Sequence, residues 1–135
     1  MALDLGEKTI GVAVSDDLGW TAQPLTTLKR KSPREDVDEI VLLVEEHRVD
    51  QLVVGLPVNM DGTMGHQARR VLSFVESMKQ RLKVPVITWD ERLSTVAVER
   101  VLLEADVSRR KRKQHIDKLA AAYILQGYLD SQPRS

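Results

Sequence analysis

Apolar and small residues alternate along the first part of the chain. Between positions 10 and 15, Ile10, Val12 and Val14 fall on one face and Gly11, Ala13 and Ser15 on the other, which is the two-residue period of a β-strand. Residues 1–5 form another strand signal, so two strands joined near Gly6 are expected. A third, over residues 20–28, follows the turn signal Asp16-Asp17-Leu18-Gly19. These three predict an antiparallel meander. The period then becomes helical. Ser32 as N-cap, Pro33 at the first helical position and Glu35 closing a capping box open a helix whose apolar face is Val37, Ile40, Val41 and Val44. Residues 51–56 are a short run with β-branched members and predict a buried strand that ends in Gly55-Leu56-Pro57, before a turn-rich loop over residues 59–65. A second helix carries Ala68, Val71, Leu72, Val75, Met78 and Leu82, and residues 85–89 predict a fifth strand. Ser94 or Thr95 can cap a further helix bearing Val98, Val101 and Leu102, and a last helix has Ile116, Leu119, Ala120, Tyr123 and Ile124 on one face.

The resulting order, βββαβαβαα, predicts an α/β fold. It implies a five-stranded mixed sheet, a three-stranded antiparallel meander followed by parallel strands, with helices on both faces. At 135 residues the chain suits a single domain over 1–135. Within it, residues 105–114 are expected as a flexible basic loop and 131–135 as a frayed tail.

Composition narrows the chemistry. There is no cysteine, which excludes disulfides, thiolate metal sites and a cysteine nucleophile and leaves oxygen and imidazole as the strong metal ligands. The 20 basic and 20 acidic residues cancel, so any signal for a polyanionic partner must be local. No apolar run approaches the ~20 residues of a membrane span, and the first residues lack the form of a secretory signal. A soluble, cytoplasmic protein with no membrane partner is therefore expected.

Asp4 is the anomaly from which the chemistry starts. A carboxylate between Leu3 and Leu5 opposes both strand propensity and the cost of burying charge, so something should compensate it. A divalent cation would do so; a lysine such as Lys8, beside a frayed first strand, would serve as well. The surrounding pattern is Asp4-x-Gly6-x-Lys8-x-x-Gly11-x-Ala13-x-Ser15-Asp16, whose glycines allow a tight turn and close approach of a phosphate. The same glycines also suit a hairpin of small residues packed under a helix.

Three further stretches make the pattern specific: Gly55-Leu56-Pro57-Val58-Asn59-Met60-Asp61-Gly62, Asp90-Glu91-Arg92-Leu93-Ser94-Thr95 and Ile116-Asp117-Lys118-Leu119-Ala120-Ala121. With the Asp4 motif they resemble, in order and over nearly the whole chain, the signatures of the YqgF/RuvX family of pre-16S rRNA nucleases. The resemblance implies an RNase H-like fold, a role in maturing the 5′ end of 16S rRNA, and relatedness to Holliday junction resolvases. Carried over residue by residue, it puts the family's catalytic and metal-binding acids on Asp4, Glu91 and Asp117, with Mg²⁺ or Mn²⁺ as cofactor. Such ions take oxygen ligands, and a pair of them can clamp an in-line phosphoryl displacement. Asp90 should point away from Glu91 if the strand continues that far and is held as a supporting candidate. Asp117 has a plainer alternative as a helix N-cap. Only three residues precede Asp4, a shorter lead than the family usually has.

The basic run Arg109, Arg110, Lys111, Arg112 and Lys113 is the clearest polyanion feature, five cations that would release counterions on meeting a phosphate backbone. Lys8, Asn59, Thr63, Arg92, Ser94 and Thr95 join it as candidate nucleic-acid contacts, although Asp61-Gly62 equally suits an ordinary turn and Ser94 or Thr95 a helix cap. Aromatic residues make only 4% of the chain, which favours recognition of backbone and shape over stacking on single-stranded bases. His47, His66 and His115 show no metal-ligand spacing. The expected activity is metal-dependent endonucleolytic hydrolysis of phosphodiester bonds. Its expected partner is structured RNA, with pre-16S rRNA and ribosomal precursor particles favoured, in a monomer or homodimer. A Holliday junction resolvase acting on branched DNA and a noncatalytic RNA-binding assembly factor are the alternatives. A sugar-kinase or actin-like module shares the Asp-x-Gly hairpin, but that machinery closes two such domains around ATP.

Overall fold

A computed structural model of the chain describes residues 1–59, 61–91 and 109–133, with side chains for all of these except 109–117. Three strands open the fold, β1 (Ala2–Leu5), β2 (Thr9–Ser15) and β3 (Ala22–Lys29). They are followed by α1 (Pro33–Glu46), β4 (Leu52–Leu56), α2 (His66–Lys79) and β5 (Val86–Asp90), and the final helix, α3, is Arg109–Ser131. The strands form one sheet in the order β3-β2-β1-β4-β5. β1 and β2 pair antiparallel, as do β2 and β3, while β4 lies parallel to both β1 and β5. This is the expected meander with two parallel strands added.

The sheet separates two apolar clusters. On one face Leu3, Leu5, Ile10, Val12, Leu52 and Val54 meet Val37, Ile40 and Val44 of α1 and Ala68, Val71, Phe74, Val75 and Met78 of α2. On the other, the small residues Ala2, Ala13 and Val53 receive Ala120, Ala121, Ala122, Ile124 and Leu125 of α3. Small side chains on both partners let helix and sheet approach closely without voids. The α1 start is as the sequence predicts, with Ser32 Oγ accepting from the Glu35 amide at 3.2 Å. The Glu35 carboxylate answers at the Ser32 hydroxyl, 3.3 Å away.

Several boundaries differ from expectation. β3 begins at Ala22 rather than residue 20, because the Asp16 carboxylate takes the amides of Trp20 and Thr21 into the preceding turn. On α2 the buried stripe includes Phe74, while Leu72 is only partly buried. The expected loop over 105–114 gives way from Arg109 onward to the first turns of α3. Arginine and lysine are strong helix formers, and neither glycine nor proline separates them from the apolar stripe that follows. Residues 105–108 and the helix expected around Val98, Val101 and Leu102 lie outside the described residues.

Candidate active site

Among the described residues, the buried charged side chains are Asp4 and Asp36, at 8% and 3% exposure. Asp4 stands on the central strand with Gly11 as its antiparallel partner on β2. On its other side, the register that pairs Ala2 with Val53 and Leu3 with Val54 carries Asp4 to the level of Gly55 on β4. Directly opposed residues share a sheet face. Asp4 is thus flanked on both neighbouring strands by residues without side chains, on the face that α3 covers.

Glu91 comes to the same place. It follows the last residue of β5, and its carboxylate lies over Gly55: a Cβ built there would stand 2.6 Å from Glu91 Oε1 and 2.5 Å from Ile124 Cδ1. At such distances any side chain at 55 would force the ends of Glu91 and Ile124 to move aside. Gly55 is therefore the floor on which an acid from β5, an apolar side chain from α3 and the neighbourhood of Asp4 meet. Alternation along β5 separates Asp90 from Glu91: Val86 joins the α1/α2 cluster, Trp89 joins the α3 cluster, and Asp90 returns to the parity of Val86.

Asp117 is a residue of α3, eight positions after its start at Arg109, so capping a helix start is not its function. Aspartate is a poor helix former, and its place in a helix interior calls for another reason. By helical register it belongs to the stripe of Ala121 and Ile124, two turns or about 10 Å along the axis from Ile124. Its side chain lies outside the described residues, as do those of the basic run 109–113 and of His115. Among the described residues no group of three His, Asp or Glu side chains gathers as a cation site. Arg92, Ser94 and Thr95 also fall outside them.

The remaining candidates divide. Lys8 is exposed in the β1–β2 turn. Asn59 and Thr63 are occupied largely with one another: the Asn59 amide nitrogen donates to Thr63 Oγ1 at 3.0 Å, and Thr63 donates to Asp61 Oδ1 from its amide at 2.9 Å and its hydroxyl at 2.6 Å. Gly62, at φ 89°, completes this turn by donating to the Asn59 carbonyl at 2.8 Å. That leaves Asn59 one amide hydrogen for a ligand and Thr63 none. What sequence reasoning missed is the close fit over Gly55, whose signal was the glycine itself, set in an otherwise apolar strand.

A family model described as RuvX, Holliday junction resolvase, matches residues 1–131. A protein of Desulforamulus reducens named "Putative pre-16S rRNA nuclease" is 55% identical over 131 residues, 97% of this chain and 96% of its own. One of the same name from Clostridium novyi is 56% identical, with 97% of each chain covered. Among solved structures, Thermus thermophilus RuvC in complex with a Holliday junction substrate aligns with a TM-score of 0.59 at 14% identity, over 95% of this chain and 92% of that one. Fowlpox virus resolvase with its Holliday junction DNA aligns at 0.52 and 11% identity, over 96% and 95%. At such identities the structural likeness concerns the fold alone, which is that of the RNase H-like resolvases.

Proposed function

Because this chain belongs to the RuvX family, whose members are phosphodiester-hydrolysing nucleases of RNase H-like fold, we propose that it is a divalent-metal-dependent endonuclease that trims the 5′ end of pre-16S rRNA. The observation that carries the reading is the seating of Glu91 over Gly55 beside the buried Asp4. Two carboxylates brought together on one sheet face repel each other, and a cation held between them would relieve that repulsion.

The donor set fits Mg²⁺ or Mn²⁺, since carboxylate oxygens are the ligands that hard cations take. Asp4 and Glu91 would hold the ion from the sheet and Asp117 from α3. When bound, it would supply an activated water and charge to stabilise the leaving oxygen. The bare backbone at Gly11 leaves one side of Asp4 without a flanking side chain, while the space over Gly55 is taken by Glu91 and Ile124. Lys8 and the basic run 109–113 would hold the flanking phosphates, giving affinity without sequence preference. The chain would act as a single domain in the cytoplasm.

The test is cleavage of precursor 16S rRNA and of a four-way DNA junction, with Mg²⁺ and Mn²⁺ each supplied or chelated, for the parent and for Asp4→Asn. The substitution keeps size but removes an anionic ligand. Since changes behind a metal site already cost about 10- to 100-fold, this one should cost at least about 100-fold in cleavage while nucleic-acid binding survives. Preference for the junction would make the protein a DNA resolvase. Metal-independent cleavage that Asp4→Asn retains, or no cleavage of either substrate by the parent, overturns the reading; in the second case a noncatalytic assembly factor takes its place.

A further inference from the structure

We infer that Arg30, locked in place by the buried Asp36, is a positioning residue for the Asp4 site. This rests on the proposed nuclease reading. The connection between β1 and β2 begins at Gly6, two residues after Asp4, and carries Lys8. It is closed by the Gly6 amide donating to the Thr9 carbonyl at 2.9 Å. Two of its own carbonyls accept from one residue: Arg30 Nη1 donates to Gly6 O at 2.9 Å, and the Arg30 amide donates to Lys8 O at 2.9 Å. Arg30 therefore clasps the turn at both shoulders.

The clasp is itself fixed from two sides, by a carboxylate and by an aromatic ring. Arg30 Nε donates to Asp36 Oδ2 at 3.3 Å, and Asp36 Oδ1 accepts from the Lys31 amide at 2.9 Å, so both oxygens of this 3%-exposed carboxylate are engaged. The guanidinium carbon lies 5.2 Å from the centre of the Phe74 ring, whose residue is itself buried. A planar, forked guanidinium meets a carboxylate, a carbonyl and a ring face together; a lysine has one nitrogen and can satisfy only part of that set.

The clasp acts where the strand holds Asp4 least. The parallel pairing of β1 with β4 is registered at Ala2 and Leu3, short of Asp4, while its pairing with β2 continues through Leu5. Beyond Leu5 the chain has the turn alone, and at Gly6 a Cβ would stand 3.0 Å from Thr9 O, so any side chain there would press on the carbonyl that closes the turn. Misplacement by about 1 Å at a reacting centre can cost about 100-fold in rate. Arg30 thus transmits the rigidity of α1 and α2 through the turn to Asp4 and Lys8, from the sheet face opposite the carboxylates.

A cleft of about 400 Å³, lined in part by Leu5, Gly6, Arg30, Asp36, Val71 and Phe74, opens beside the guanidinium. It offers an entry for a small guanidinium ion, and hence a test. Arg30→Lys and Arg30→Ala are compared with the parent for kcat, KM, Tm and Mn²⁺ affinity measured without nucleic acid, and Arg30→Ala is repeated with methylguanidinium or methylammonium added. The expected result for Arg30→Lys is a loss of about 10- to 100-fold in kcat with weakened Mn²⁺ binding and little change in KM. Methylguanidinium should restore kcat and Mn²⁺ affinity to Arg30→Ala saturably, and methylammonium should not. A folded Arg30→Lys with parental kcat and Mn²⁺ affinity overturns the inference, as does rescue of Tm without rescue of kcat. If Arg30→Ala does not fold, Arg30→Lys decides alone. A parent that neither cleaves nor binds Mn²⁺ sinks the nuclease reading, and Arg30 then has no site to position.

Discussion

At Gly55 a missing side chain does what a present one cannot. The glycine leaves space that Glu91 and Ile124 fill from two other elements, with a hypothetical Cβ only 2.6 and 2.5 Å from their respective atoms. Gly55→Ala should therefore destabilise the protein by about 1–3 kcal/mol, the usual cost of overpacking, and should also displace the Glu91 carboxylate. Denaturant melts and cleavage rates separate the two effects. Adding Ile124→Val removes the clashing Cδ1, so the double variant should regain part of the stability while cleavage stays low, because Glu91 is still pushed aside. Full recovery of cleavage in the double variant would show that Glu91 has no part in the reaction. Asp117→Asn belongs to the same scale. With capping excluded by its place inside α3, it should fall in activity with Asp4→Asn; near-parental cleavage would remove it from the site.

Among the elements, the turn between β2 and β3 is tied from within by the Asp16 carboxylate and from α3 by Gln126, which accepts from the Ala22 amide and donates to the Trp20 carbonyl, both at 2.9 Å. Asp16 Oδ1 accepts from the amides of Trp20 at 2.8 Å and Thr21 at 3.2 Å, and Gly19 takes the left-handed φ of 70° between them. The amide of Trp20, followed by that of Thr21, holds the Asp16 carboxyl below its ordinary value of 3.8. A folded-state pKa depressed in this way gives stability that is complete above the unfolded value and is lost as pH falls through the folded one. The turn should therefore stay closed through the ordinary carboxylate range and open only below it. The Trp20 amide resonance followed by NMR reads this directly, and a midpoint at or above 3.8 would contradict it. This turn was legible as a turn from Asp16 to Gly19, but not the reach of its carboxylate, which moves the start of β3 to Ala22. The basic run shows the opposite error. A charge cluster suggested a loop, and helix propensity together with continuity into the alanine-rich stripe made it helix.

For the whole molecule the testable quantity is how its charge meets a polyanion. Net charge is zero, so attraction must come from local clusters, of which the start of α3 is the densest. Replacing Arg109, Arg110, Lys111, Arg112 and Lys113 with glutamine keeps helix propensity and should weaken binding. It should also reduce the slope of log affinity against log salt by about 0.9 for each duplex phosphate that the run neutralises in the parent. An unchanged slope would mean that the run does not touch the backbone. The sequence by itself determined the order of the strands and of the described helices and the mixed sheet, because alternation and capping residues are written in neighbouring positions, and the family resemblance named the candidate acids. Only the tertiary structure decided that Glu91 rather than Asp90 shares a face with Asp4, that Gly55 makes the room for it, and that Arg30 and Asp36 clasp the turn beyond Asp4. Those relations join residues distant in the chain through strand register and close packing, and no local pattern encodes which atoms will compete for the same space.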